Sequence, residues 1–372
     1  MGQEPLPVSV VVPAYRCEDT IERAVRSALA QRPAPSEVIV VDDASPDRSG
    51  ELAAALGARV IRHERNLGEG AARNTGLAAA RERWVALLDA DDEWLPSHLA
   101  TLWSARDGHV LVGTAALGCG ERPADHRVRG WAGPSVSVLR SPADVAVPEN
   151  KLTASSVLVR REAALDAGGF RTDLPRATDL DLWLRMLERG RGVALPQVTA
   201  LYHQHPAQVS AERGAMDDAV RDVLANYAER PWFTWSVPRR VEGRIAWDRV
   251  RAGLATGAPR RATALQLAGI LASPARVLGV SEALTRRFAA RRLTGRYAPG
   301  GGPSTAIMPG AVVAAPAGAV DLRNRGRLRA LAVLAWRPTA TAFVPGRATA
   351  AVVRAIGVQP VSAARAREET EG

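Results

Sequence analysis

The feature that most constrains the fold is a regular alternation of short apolar runs with amphipathic stretches in the first hundred residues. Apolar, largely β-branched runs predict four strands, at 8–13, 37–41, 59–62 and 84–88. Helical spacing and turn residues predict helices at 19–30, 47–56, 69–81 and 96–105. Strands that alternate with helices predict an α/β fold whose central sheet is mainly parallel and flanked by helices.

Polar groups follow three of these strands at the point where each strand ends. Tyr15 follows the first strand, Asp42, Asp43 and Ser45 the second, and Asp89 the fourth. Because parallel strands end at a common edge, where open α/β sheets bind ligands, we expect a site at this edge.

The Asp89-x-Asp91 pair directly after a strand suits a hard divalent cation. The alternative is a solvated acidic turn or a helix cap, which the proximity of a second aspartate-ended strand disfavours. Asp43 could accept hydrogen bonds from a nucleobase or ribose, or could cap the following helix.

Three further positions are ambiguous when taken singly. The glycine-rich segment 66–76 matches neither the phosphate-binding P-loop nor the dinucleotide fingerprint. Its Arg73 and Asn74 could orient a ligand or face solvent. His205, just beyond a strand at 193–202, could bind a metal or a diphosphate or be an ordinary loop histidine.

The rest of the chain predicts a mostly helical C-terminal appendage. Strands are expected at 109–117 and 153–160, and helices at 178–189 and 212–230. Helical segments are expected at 239–255, 259–271 and 273–294. They are followed by a linker at 297–318 and a disordered tail from 362. We therefore divide the chain into a catalytic domain (1–210), a helical basic region (211–295) and a segment with a linker, short helices and the tail (296–372).

Charge differs sharply between the two parts of the chain. Residues 1–230 hold 27 Lys and Arg against 32 Asp and Glu, whereas 231–372 hold 22 against 7. The basic part could contact an anionic membrane surface, and its arginines at 244, 249, 251, 260, 261, 286 and 287 lie among apolar helical residues. A solvated helical cap is the alternative.

Cysteine content and the N-terminal segment bear on location. No signal peptide is evident, no run of apolar residues is long enough to span a bilayer, and two cysteines are too few for a disulfide framework. We expect a cytoplasmic protein that could lie peripherally on the cytoplasmic membrane face.

Six motifs in order carry a resemblance to a known family. They are VSVVVPAY (8–15), VIVVDDAS (38–45), AARNTGL (71–77), ALLDADDEWLP (86–96), SSVLVRREAALDAGGF (155–170) and TDLDLWLRM (178–186). Together they resemble the family 2 glycosyltransferases of the GT-A fold over about residues 6–210. The resemblance implies transfer of a sugar, with inversion, from a nucleotide-diphosphate sugar to a saccharide, lipid-linked or small-molecule acceptor, in cell-envelope polysaccharide or glycoconjugate synthesis.

The resemblance also assigns roles to particular positions. Nucleotide-sugar binding falls to Pro13, Ala14, Tyr15, Asp42, Asp43, Ser45, Arg73, Asn74 and Asp89. Asp91 matches a ligand of Mn²⁺ or Mg²⁺, His205 matches a residue that reaches the metal or diphosphate, and Asp179 matches the general base. Thr178 stands where the family has Glu, which puts an acceptor-binding role of that position in doubt.

Two other classes of function are open on the sequence. A sugar-nucleotide nucleotidyltransferase could use a similar acidic edge, but its glycine-rich basic loop is missing after the first strand, where AYRCED stands. A non-catalytic membrane-surface protein of the same fold is disfavoured by the intact Asp43, Asp91 and Asp179. No nucleic-acid partner is expected.

Overall fold

A computed structural model describes residues 4–119, 127–131, 135–146, 152–205, 212–256, 269–271, 273 and 276–277 of the 372-residue chain. The strands are β1 (Leu6–Ala14), β2 (Pro35–Asp42), β3 (Arg59–Arg62), β4 (Trp84–Leu87), β5 (Glu93–Trp94), β6 (Leu111–Cys119), β7 (Arg127–Arg129), β8 (Ser137–Leu139), β9 (Val157–Arg160) and β10 (Gly192–His203). The helices are α1 (Ile21–Leu29), α2 (Ser49–Ala55), α3 (Glu69–Ala79), α4 (His98–Ser104), α5 (Ala143–Ala146), α6 (Arg161–Asp166), α7 (Thr178–Leu187), α8 (Arg213–Ala225) and α9 (Ser236–Thr256).

The strands form one mixed sheet in the order β3-β2-β1-β4-β9-β6-β10-β5, with β7 beside β6 and β8 beside β10. β1, β2, β3 and β4 pair in parallel, as do β6 and β10. β9 lies between β4 and β6 and is antiparallel to both. The long strands therefore share one direction, as predicted, and their carboxyl ends form one edge.

The sheet is buried on both faces, which explains the continuous apolar runs of its strands. On one face Val11 and Val41 pack with α3 and α7, and on the other Val10 and Val40 pack with α1. Helix α3 lies so close to β1 that a Cβ at Gly76 would stand 2.2 Å from Val11 Cγ1, so this position requires glycine.

Most predicted elements are confirmed, with ends that differ by at most five residues. One difference lies after β4, where Glu93 and Trp94 form a short strand, β5, that was not predicted and that pairs with β10. The predicted strand 153–160 begins as a single 3₁₀ turn over Ala154–Ser156. The predicted linker and tail, and nearly all of the helices at 259–271 and 273–294, lie outside the described residues.

Helices α8 and α9 pack onto the α/β part of the chain. Val223, Tyr227 and Ile245 are buried in the same apolar cluster as Trp183 of α7. Arg244, one of the arginines predicted to face a membrane, is instead a partly buried residue, 11% exposed, that pairs with Asp217 at 2.9 Å and Asp248 at 3.2 Å. Within the described residues, no helix is both long and apolar enough to span a membrane.

Candidate active site

The loops after β1 and β2 lie side by side at the carboxyl edge of the sheet. The Asp43 N–H donates to the Ala14 carbonyl at 2.9 Å, and the Arg16 N–H donates to Ser45 Oγ at 3.0 Å. Ala14 is buried, while the Tyr15 side chain is 43% exposed, beside the Arg16 guanidinium. The edge thus brings together Ala14, Tyr15, Asp43 and Ser45, as the sequence predicts.

Asp43 is buried and organises the loop before α3. Its carboxylate accepts the N–H groups of Leu67 at 2.9 Å and Gly68 at 2.7 Å, and contacts His63 Nδ1 at 2.6 Å. His63 Nε2 in turn lies 2.9 Å from Thr75 Oγ1. These contacts fix the loop before α3 over the edge of the sheet. The predicted contact of Asp43 with a nucleobase stays a prediction, and it would use the remaining acceptor capacity of the carboxylate.

Asp42 faces away from this loop and stabilises the turn that follows β2. It is fully buried, accepts the Ser45 N–H at 2.8 Å and forms an ion pair with Arg62. Arg62 also donates to the Ser45 carbonyl at 2.8 Å. These contacts give Asp42 and Ser45 a clear part in shaping the turn, and their contact with a nucleotide stays a prediction.

Arg73 of α3 is buried beside Glu69, Asp89 and Asp179, with only 3% of its side chain exposed. We call the region that these residues share with Asp91 the cleft. Its Nη2 donates to Asp89 at 2.7 Å and to Glu69 at 2.5 Å. Burial alone would lower the pKa of Arg73, but the two carboxylates raise it above its ordinary value, so the group is a permanent cation. Its Nε is buried without a hydrogen-bond partner among the described residues, so a further acceptor could be bound there.

Glu69 belongs to the cleft, although the sequence analysis did not select it. Its side chain is 47% exposed and accepts a hydrogen bond from Arg73. Partial burial raises its pKa to about 7, Arg73 opposes the shift, and the carboxylates of Asp89, Asp179 and Asp91 add to it. The position four residues before Arg73, the spacing of a helical ion pair, is the signal that could have identified it.

The acidic turn after β4 divides its carboxylates between structure and the cleft. Asp92 is buried, accepts the Ser155 hydroxyl and the His203 N–H, and thereby ties the turn to β10. Asp89 faces Arg73. Asp91 is 32% exposed, and its Oδ2 lies 2.8 Å from Nε2 of His205, which is 40% exposed.

The Asp91–His205 pair fits one end of a divalent metal site. A carboxylate oxygen and an imidazole nitrogen from separate elements converge on one accessible point, and Mn²⁺ accepts both donor types. No group of three or more His, Cys, Asp or Glu side chains forms a complete metal cage in the described part of the chain. Asp91 and His205 would therefore hold an ion only together with ligands from a bound substrate or water.

Asp179 is placed at the opening of the cleft by the first turn of α7. The residue before this helix, Ala177, has a φ of +56°, an unusual left-handed conformation for a buried residue with a Cβ. Asp179 Oδ1 accepts the Leu180 N–H at 2.8 Å. Burial raises the pKa of Asp179, Arg73 opposes this shift, and Asp89 adds to it.

Asn74 has both polar atoms of its side chain engaged by one backbone residue. Its Nδ2 donates to the Phe170 carbonyl at 2.8 Å, and its Oδ1 accepts the Phe170 N–H at 2.7 Å. The structure thus gives Asn74 a role in holding this loop, and the predicted ligand contact stays untested. Thr178, the departure from the family pattern, is buried at the start of α7.

The chain has similarity to known proteins that bears on this cleft. The family model described as "Glycosyl transferase family 2" matches residues 9–136. An uncharacterized protein of Mycobacterium tuberculosis is 31% identical over 236 residues, which are 55% of this chain and 69% of that relative. The chain belongs to glycosyltransferase family 2.

Two further similarities place this glycosyltransferase among its relatives. The succinoglycan biosynthesis protein ExoO of Rhizobium meliloti is 48% identical over 103 residues, 27% of this chain and 30% of ExoO. The glycosyltransferase thus spans less than a third of the length of ExoO. The mannosyltransferase PcManGT of Pyrobaculum calidifontis, solved with GDP-Man and Mn²⁺, superposes with a TM-score of 0.52 at 22% identity, over 78% of this chain and 89% of PcManGT. This likeness shows the GT-A fold.

Proposed function

We propose that this glycosyltransferase moves a sugar, with inversion, from a nucleotide-diphosphate sugar to an acceptor hydroxyl in a metal-dependent reaction. The observation that carries the proposal is the convergence of a permanent cation, a carboxylate–imidazole pair and a further carboxylate on one cleft. These are Arg73, Asp91 with His205, and Asp179. Each comes from a different part of the chain.

The donor is proposed to lie along the carboxyl edge of the sheet. The loops at Tyr15 and Asp43 would contact the nucleotide, and Asp89, fixed by Arg73, would contact the ribose. Arg73 would supply positive charge near the diphosphate. PcManGT was solved with GDP-Man, which supports a nucleotide-sugar donor without identifying the base or sugar here.

Inversion requires a single in-line displacement by the acceptor hydroxyl, whose proton must be removed. Asp179 is the proposed base, because it is a carboxylate at the cleft opening and lies within electrostatic reach of Asp89 and Arg73. A raised pKa makes its ionised carboxylate a stronger base than that of an ordinary aspartate. A divalent cation at Asp91 and His205 would stabilise the negative charge of the departing diphosphate.

The pathway is proposed to be the synthesis of a cell-envelope polysaccharide or glycoconjugate. ExoO, a succinoglycan biosynthesis protein, is similar to this chain over 103 residues, which supports such a pathway. The acceptor is proposed as a saccharide, lipid-linked or small molecule. Glu69 and the first turn of α7 lie where it would approach the base.

A donor screen tests the proposal. The chain is incubated with UDP-, GDP- and dTDP-sugars and Mn²⁺, and release of the nucleoside diphosphate is measured with and without candidate acceptor saccharides. The proposal expects release from one class of donor. Release of pyrophosphate from a nucleoside triphosphate and a sugar phosphate, with no diphosphate from any donor, would instead indicate a nucleotidyltransferase.

A further inference from the structure

One buried loop holds the donor-side helix α3 against α7, which carries the proposed base. This loop, Ala167–Phe170, follows α6 and contains two glycines in left-handed conformations, Gly168 with a φ of +90° and Gly169 with a φ of +66°. A Cβ at Gly169 would stand 2.5 Å from Asn74 Oδ1, so the loop follows the α3 surface closely. Asn74 binds both backbone polar groups of Phe170.

The same loop is held from the other side by Arg185 of α7. One arm of its guanidinium, Nη2, donates to the Gly169 carbonyl at 2.7 Å, and Nη1 donates to the Ala167 carbonyl. Helical side chains lean towards the start of their helix, so Arg185 reaches back to the turn that presents Asp179. The loop is thereby attached to the first turns of α7.

The orientation of Arg185 is fixed by a buried carboxylate. Asp181, which is 1% exposed, accepts Arg185 Nε at 2.9 Å and Nη2 at 2.5 Å. Its other oxygen accepts the Tyr227 hydroxyl at 2.8 Å. Tyr227 follows α8, so the C-terminal part of the chain takes part in setting this arrangement.

We infer that Arg185, oriented by Asp181 and Tyr227, is a positioning residue that sets the distance between Arg73 and Asp179 during sugar transfer. The inference rests on the proposed function of Asp179. On the α3 side, the Phe170 ring lies 5.3 Å from the Arg73 guanidinium, and on the α7 side it packs edge-on against Trp183. The loop thus contacts Arg73 on one side and, on the other, the helix that carries Asp179.

This geometry predicts that loss of the Arg185 contacts affects the sugar-transfer step and not the binding of the nucleotide. The hydrogen bonds of Arg73 to Glu69 and Asp89 involve neither Arg185 nor the loop. Loosening the loop should therefore leave the nucleotide site intact while Asp179 loses its alignment. A small misalignment of a catalytic group is enough to reduce a rate up to about 100-fold.

The test compares Arg185→Lys with a matched substitution. Lysine keeps the charge but cannot bind one carboxylate and two carbonyls through a planar fork. Arg221, on α8 and away from the cleft, offers the control. Its Nε and Nη2 likewise donate to one carboxylate, that of Glu242, at 2.6 and 3.3 Å. Arg221→Lys should therefore leave turnover at the parent rate.

Turnover is measured as release of UDP from UDP-glucose or of GDP from GDP-mannose, and affinity by titration with UDP or GDP. For Arg185→Lys we expect kcat to fall about 10- to 100-fold, with KM for the donor changed by less than about threefold. Tyr227→Phe should act in the same direction with a smaller loss. A parent-like kcat for Arg185→Lys, or an equal loss in Arg221→Lys, would overturn the inference.

A second measurement does not require turnover. Amide hydrogen exchange in the intact chain should become faster across residues 167–181 in Arg185→Lys, with nucleotide affinity retained. Unchanged exchange there would overturn the positioning role by itself. If the parent releases no nucleotide from any donor, the proposed function fails, and the exchange result still decides whether Arg185 holds the loop.

Discussion

Replacement of Asp179 by asparagine tests the proposed base with little disturbance of the fold. Asp179 Oδ1 accepts the Leu180 N–H at 2.8 Å, and the amide oxygen of asparagine can accept the same bond. The substitution retains side-chain size at the start of α7. What is lost is the negative charge and the capacity to accept a proton.

The expected loss in rate follows from the removal of general-base catalysis. Such a group typically contributes a factor of about 10²–10⁴, which corresponds to roughly 2.7–5.4 kcal/mol of transition-state stabilisation. Donor affinity should be unchanged or tighter, because the variant removes a carboxylate that interacts unfavourably with Asp89. The perturbation therefore separates kcat from binding.

The rate of sugar transfer by the parent should decrease as pH falls. A base acts in its ionised form, and burial raises the pKa of Asp179 above its usual 3.8. The parent should lose activity as pH falls through this raised pKa, while the residual activity of Asp179→Asn should lack that limb.

The assay measures nucleoside diphosphate release and nucleotide affinity for the parent, Asp179→Asn and a control. Asp173→Asn is the matched control, because it is the same substitution at an exposed carboxylate that pairs with Arg171 on the surface. It should transfer sugar at the parent rate. If Asp179→Asn does so as well, Asp179 is only a helix-terminal residue and the mechanism proposed here is wrong.

Three other predictions address the metal, the basic region and stability. The parent should bind UDP or GDP more weakly in EDTA than in Mn²⁺, and Asp91→Asn should bind them more weakly than the parent in Mn²⁺. Equal affinity of the parent in Mn²⁺, the parent in EDTA and Asp91→Asn in Mn²⁺ would contradict the metal assignment. The chain should co-sediment with anionic vesicles at low salt and less at moderate salt, through exposed basic residues such as Arg239; no sedimentation at either salt would remove the membrane proposal. Burial lowers the pKa of His98 to about 3, so below about pH 6.5 the unfolded chain takes up a proton on His98 that the folded chain does not. The free energy of unfolding of the parent should therefore fall with pH, by about 2 kcal/mol at pH 5 relative to His98→Asn. Chemical unfolding at pH 7 and 5 measures this difference, and identical pH slopes for parent and variant would exclude it.

The parts of the fold that the sequence predicted well are those determined by local pattern. A run such as EVIVV is apolar on both faces, and the strand is buried on both faces. The site could be predicted from the strand ends, because parallel pairing alone places Asp43 and Asp89 at one edge of the sheet. The direction of β9 has no such local signal, because an apolar run has the same pattern whichever way the strand points.

The parts of the site that the sequence did not predict depend on contacts between distant segments. Asn74 and Phe170 are 96 residues apart, and Asp181 and Tyr227 are 46 apart, so no spacing indicates either pair. The left-handed Ala177 gives a sharper case, because alanine has no preference for that conformation and only its surroundings can hold it. Ala167 and Phe170, in the loop fixed by Arg185, are buried in the same apolar cluster as Ala177, two residues before Asp179. The chemistry of the base is thus apparent from its residue type, whereas its alignment is a property of the assembled chain.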